Sequence, residues 1–159
     1  SIKRKYIALI WGVLRPLEGT IETFITRSNR NRQLMTTDDF KGKKAITKYS
    51  IKKVFNKKNV PKISLVEFEL KTGRTHQIRV HMIYKGTSLL GDQKYRKKNM
   101  KFKKIDKTFE EILNSFKGQV LHAATLGFCH PRNLKKVEYK TKLPIKFKKL
   151  VDYLENLKN

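Results

Sequence analysis

The 159-residue chain has one cysteine, one tryptophan, four prolines and only 13 acidic residues. Each scarcity excludes something. A single thiol, Cys129, rules out an intrachain disulfide and fits a reducing compartment, so a cytoplasmic location is expected. No apolar run approaches the length of a bilayer span, and no segment sets a basic face against an aromatic one as an interfacial anchor would. No signal peptide and no initiator Met open the chain at Ser1-Ile2-Lys3-Arg4-Lys5-Tyr6. No internal repeat is present, and the lysine-rich patch Lys94 to Lys104 is the one low-complexity stretch.

Against that acid shortage stand 38 Lys and Arg, giving a net charge of +25. With 38% apolar residues the chain can still bury a core, so one folded domain is expected rather than a disordered polycation. Charge of this sign and density fits a polyanionic partner, nucleic acid first, because phosphate neutralisation releases counterions. Lys outnumbers Arg 29 to 9, so most of the charge suits backbone phosphate better than bidentate recognition. Lysine runs also form plain solvated faces.

The pattern is β-rich with helices inserted later. Tyr6 to Leu14 reads as a buried strand closed by Arg15-Pro16, with Thr20 to Thr26 as its hairpin partner. Arg27 to Lys44 reads as a basic loop. Strand alternation resumes over Ala45 to Phe55 and Ile63 to Leu70, joined by a turn. Gly73 to Gly86 has helical character. At 100° per residue it sets Arg74, Gln77 and His81 within about 60° of one another and turns Arg79 roughly 140° away, toward the body. A capping box at Thr108-Phe109-Glu110-Glu111 predicts a short helix to about Phe116. Gln119 to Phe128 and Val137 to Thr141 are expected strands, and Pro144 opens a final helix burying Phe147, Leu150, Val151, Leu154 and Leu157. The fold class expected is α+β, with a mainly antiparallel sheet.

The densest polar run is Lys71-Thr72-Gly73-Arg74-Thr75-His76-Gln77-Ile78-Arg79-Val80-His81. It is followed by Gly86, Leu90-Gly91-Asp92 with Tyr95, Gln119-Val120-Leu121-His122-Ala123 and Phe128-Cys129-His130-Pro131, and preceded by Lys5-Tyr6-Ile7-Ala8-Leu9-Ile10-Trp11-Gly12 and Lys44-Ala45-Ile46-Thr47-Lys48-Tyr49. In this order and over essentially the whole chain, these segments resemble the RluA/RluD-type family of ribosomal large-subunit RNA pseudouridine synthases. The loop Ser28 to Met35 resembles the RluD-type branch.

The resemblance implies isomerisation of uridine to pseudouridine in large-subunit ribosomal RNA, with no cofactor and no metal. The N1–C1′ bond breaks, the base turns, and it rejoins through C5. By motif, Arg79 is the arginine that pairs with the family's catalytic aspartate, and Tyr6 is the tyrosine that packs against the flipped base. RNA contact is expected of Lys5, Arg30, Arg32, Arg74, His76, Gln77 and His81. The partner expected is ribosomal RNA, with no membrane, and the protein is expected to be a monomer.

The family's nucleophile stands in a His-Arg-Leu-Asp motif upstream of the Lys-Tyr strand, and no such motif occurs between Ser1 and Asn159. Asp92 belongs to a turn where it would satisfy backbone donors. Asp38 and Asp39 fall in the basic loop, Asp106 precedes the capping box, and Asp152 lies on the last helix. Arg96 also departs from the glycine that often follows the family's tyrosine. The expectation is therefore that residues 1–159 are the carboxyl-terminal portion of a catalytic domain, inactive alone, with uncovered faces and unpaired edges in its sheet where strands are missing.

Other readings of the same residues are a structural ion pair between Arg79 and a glutamate, and a core role for Tyr6. His76, His81, His122, Cys129 and His130 could suggest zinc, although structural zinc favours close Cys or Cys/His pairs. Cys129, after an aromatic strand, looks like a small core residue. At the level of the whole chain, the alternatives are a noncatalytic RNA-binding module derived from the family and a basic ribosome-associated protein.

Overall fold

The computed structural model describes residues 2–97 and 104–159. Most of the Lys94 to Lys104 patch lies outside the described residues. Seven strands form one antiparallel sheet in the order β3-β2-β4-β5-β1-β6-β7. They are β1 (Lys3–Trp11), β2 (Glu18–Arg27), β3 (Met35–Asp38), β4 (Lys43–Phe55), β5 (Ile63–Leu70), β6 (Leu121–Cys129) and β7 (Lys136–Lys140). Three helices, α1 (Gln77–Tyr84), α2 (Lys107–Asn114) and α3 (Ile145–Asn156), complete the α+β fold.

The pleat sorts the sheet into two cores. Tyr6, Ala8 and Ile10 of β1 share a face with Val66, Phe68 and Leu70 of β5 and pack on Ile78 and Met82 of α1. Ile7, Leu9 and Trp11 point the other way, toward Phe109 of α2 and Phe147, Leu150 and Leu154 of α3. Each fully buried side chain of that second core removes apolar area worth roughly 1.5–3 kcal/mol, which is what docks α3, otherwise rich in lysine.

Several expectations change. β2 does not pair with β1. It pairs with β4 over Glu18 to Ile25 and with β3 at its end, while β1 lies between β5 and β6. Alternation marks a strand but carries no address for its neighbour, and the 13-residue β4 pairs through one edge with β2 over Lys43 to Ser50 and through the other with β5 over Thr47 to Phe55. The sheet accordingly runs from β5 through β1 to β6 and β7. The basic loop contains a strand, β3, which turns the segment after Arg27 into a hairpin. The helix expected over Gly73 to Gly86 begins only at Gln77, because His76 adopts a left-handed backbone with φ 55°. Asp106, rather than Thr108, caps α2 by accepting from Phe109 N–H at 2.8 Å. Cys129 is exposed, not a core residue.

Candidate active site

The turn after α1 is pinned to β1. Leu90 N–H donates to Leu9 O, Val120 N–H to Leu90 O and Leu9 N–H to Val120 O, and Ile10 bridges Leu89. Gly91, at φ 77°, presses so closely on Gly118 that a Cβ would come 2.4 Å from its carbonyl oxygen. Asp92 is fixed by this packing, and its side chain is fully buried.

Arg79 meets Asp92 in a two-pronged ion pair. Nε donates to Oδ2 and Nη2 to Oδ1, each at 2.7 Å, and Oδ1 also accepts from Lys94 N–H and Tyr95 N–H. The guanidinium lies 4.7 Å from the centroid of the Tyr95 ring. Its hydrogen bond with Asp92 raises the Arg79 pKa further above its ordinary value. The partner is thus an aspartate thirteen residues on, where a glutamate was the ordinary structural alternative. Asp92 does satisfy backbone donors, as expected of its turn, but it also neutralises the buried cation.

Tyr95 joins three elements. Its hydroxyl accepts from Met35 N–H on β3 at 2.8 Å and shares a hydrogen bond with His76 Nδ1, also at 2.8 Å. Burial, followed by the charges of Arg79 and Lys94, holds the His76 pKa below its usual value. Burial pushes the Tyr95 pKa up. Through one side chain the hairpin β2–β3, the entry to α1 and the Arg79 guanidinium are held in register. Only the Gly-Asp-x-x-Tyr spacing hinted at this in the sequence.

Gln77 and His81, expected on an RNA-facing surface, are instead inside, 2% and 0% exposed. Gln77 accepts from Thr72 Oγ1–H and Arg74 N–H and donates to Ile46 O and Thr47 Oγ1. Thr47 Oγ1 also shares a hydrogen bond with His81 Nδ1 at 2.7 Å, and His81 Nε2 shares one with Thr23 Oγ1 at 2.9 Å. Burial drives the His81 pKa down to about 4. The helical spacing correctly places the two residues on one face; that face meets β4 and not solvent. Their polarity is spent on protein partners.

The other expected RNA contacts fall in different places. Arg30 and Arg32 stand exposed on the β2–β3 loop. Arg74 is half-buried, its Nε donating to Lys44 O at 2.8 Å. Lys5 lies on the sheet face opposite Tyr6, 3.4 Å from Glu67, so the structure does not bring it to the site. Tyr6 is half-buried beside the α1 core, on the same face of the sheet as the helix that carries Arg79. Among the described residues no group of three or more His, Cys, Asp and Glu is placed to hold a metal ion. None of the described helices is long and apolar enough to cross a membrane.

Comparisons with known proteins agree with this geometry. Residues 1–84 match the RNA pseudouridylate synthase family. The chain is 41% identical over 159 residues to an uncharacterized RNA pseudouridine synthase of Bacillus subtilis, covering 99% of this chain and 45% of that protein. It is 38% identical over 161 residues to ribosomal large subunit pseudouridine synthase D of Haemophilus influenzae, covering 98% of this chain and 48% of the relative. The chain therefore spans about half the length of the curated relatives it matches. The fold is shared with human RNA pseudouridylate synthase domain containing 1, at TM-score 0.68 and 22% identity, over 99% of this chain and 67% of the human one. The sheet, the Arg79 pair and these matches together place the chain in the RNA pseudouridylate synthase family, among its RluA/RluD-type members.

Proposed function

We propose that residues 1–159 form the carboxyl-terminal portion of a catalytic domain that isomerises uridine to pseudouridine in large-subunit ribosomal RNA, without cofactor or metal. The nucleophilic aspartate comes from a part of the protein outside these residues. Support for that assignment comes from the state of Asp92: with its side chain fully buried and both oxygens already accepting, it cannot attack a sugar carbon. A uridine must leave its stack before its glycosidic bond is reached, so an aromatic wall beside a fixed cation is the arrangement this chemistry needs.

The observation that carries the reading is the fixed Arg79 fork on the sheet face that also presents Tyr6. Two guanidinium nitrogens are committed to Asp92. Nη1 is left for the incoming aspartate, which it would hold ionised and oriented. Tyr6 then packs against the turned base.

The test is a count of pseudouridines in large-subunit ribosomal RNA, by mass spectrometry, from cells with and without the gene. Loss of a pseudouridine on deletion, restored by the wild-type gene and not by Tyr6→Leu, is expected. Unchanged ribosomal RNA in the deletion strain would favour a noncatalytic RNA-binding module.

A further inference from the structure

We propose that Arg4, seated over Gly73, binds a backbone phosphate of the RNA strand entering the site. This rests on the reading of the protein as one that acts on RNA. Arg4 stands two residues before Tyr6 on β1 and so shares its face of the sheet. The side chain is half-buried, and its Nε is buried with no hydrogen-bond partner among the described residues. Room for the guanidinium exists because residue 73 is glycine: a Cβ there would come 2.0 Å from Arg4 Nη1.

Gly73 also lines an open groove of about 440 Å³ with Arg27, Lys43, Arg74 and Thr75. Two of the groove's cations are oriented by backbone oxygens, since Arg27 Nη1 donates to Arg32 O and Arg74 Nε to Lys44 O. Among the described residues no carboxylate pairs with Arg4, Arg27, Lys43 or Arg74. Arg79, by contrast, has its own aspartate. One protein carboxylate would answer one of these four cations; successive phosphates of a strand answer them in turn, and the Arg4 fork suits a phosphate's paired oxygens.

The experiment measures binding of a uridine-containing single-stranded RNA oligonucleotide to the full-length natural protein by fluorescence anisotropy across a potassium chloride series. Arg4→Ala is expected to weaken binding roughly tenfold and to lower the slope of log affinity against log salt by about 0.7, one single-strand phosphate contact. Gly73→Ala, which keeps every charge and displaces only the guanidinium, moves both readings the same way. Arg4→Lys keeps the slope and loses part of the affinity. Lys107→Ala, on the far side of the sheet, changes neither. An unchanged slope in Arg4→Ala and Gly73→Ala, with wild-type binding intact, would overturn the proposal. So would a lower unfolding midpoint of unliganded Arg4→Ala with no change in slope, the mark of a protein carboxylate at this seat. Failure of the wild-type full-length protein to bind RNA at all would overturn this proposal and the functional reading together.

Discussion

On the face covered by α1, strands β1, β5 and β4 present Tyr6, Ala8, Val66, Phe68, Thr47 and Tyr49, whereas on the other face the same strands present Lys5, Glu67, Glu69, Lys48 and Ser50. The two faces use charge in opposite ways. On the outer face carboxylates alternate with lysines in partly exposed pairs, such as Lys5 with Glu67 and Lys71 with Glu69. On the α1 face the Asp92 carboxylate is fully buried and meets an arginine through two hydrogen bonds. In a chain so short of acid, placing glutamates beside the outer lysines leaves the cations around Gly73 without a carboxylate partner among the described residues. Net charge therefore describes the chain, while the placement of 13 acids decides which surface can receive an anion.

Breaking the buried pair should produce the largest effect. Arg79→Ala would strand the Asp92 carboxylate in the core, costing about 3–5 kcal/mol of stability, read from denaturant unfolding. Next is acid. His81 is neutral in the fold, and its depressed pKa of about 4 lies below the ordinary value of 6.5. The unfolded chain therefore binds the proton first, and stability is lost as pH falls from about 6.5 through about 4. A loss on the order of 3 kcal/mol is expected across that window, and His81→Leu, whatever its stability at neutral pH, should lose this part of the pH dependence of the urea midpoint.

Smaller still is the cap on α2, far from the site. Asp106→Ala removes the acceptor for Phe109 N–H and for the Tyr153 hydroxyl. About 1 kcal/mol of stability should go with it in thermal or denaturant unfolding. The outer face should respond least. A double-mutant cycle on Lys44 and Glu22, 2.8 Å apart with side chains 58% and 52% exposed, should give a coupling under about 1 kcal/mol that fades with salt. A larger, salt-insensitive coupling there would erase the contrast between the faces.

Much of this contrast could be read in the sequence. The spans of β4, β5 and α3 follow from alternation and helical spacing, and the buried set of Phe147, Leu150, Val151 and Leu154 follows from the same pattern. Arg79 was legible as an inward charge needing a partner. Asp92 was legible as a turn residue, but the joining of the two was not, because the turn is positioned by backbone bonds to β1 that no local pattern encodes. Helical phase misled at Gln77 and His81: it gives the angle around an axis, and α1 packs so that the face carrying these two residues is inside. Lys5 lies away from Tyr6 because of the period of two along a strand. The residue beside Tyr6 faces away from it, and the residue two before it faces the same way.

The most direct measurement is tritium release from ribosomal RNA labelled at uridine C5, using the full-length natural protein, its Arg79→Lys variant and the 159-residue chain alone. Release by the wild-type full-length protein, with little or none from the variant or the short chain, is the predicted result. No release from the full-length protein, or release by the short chain, would contradict the account.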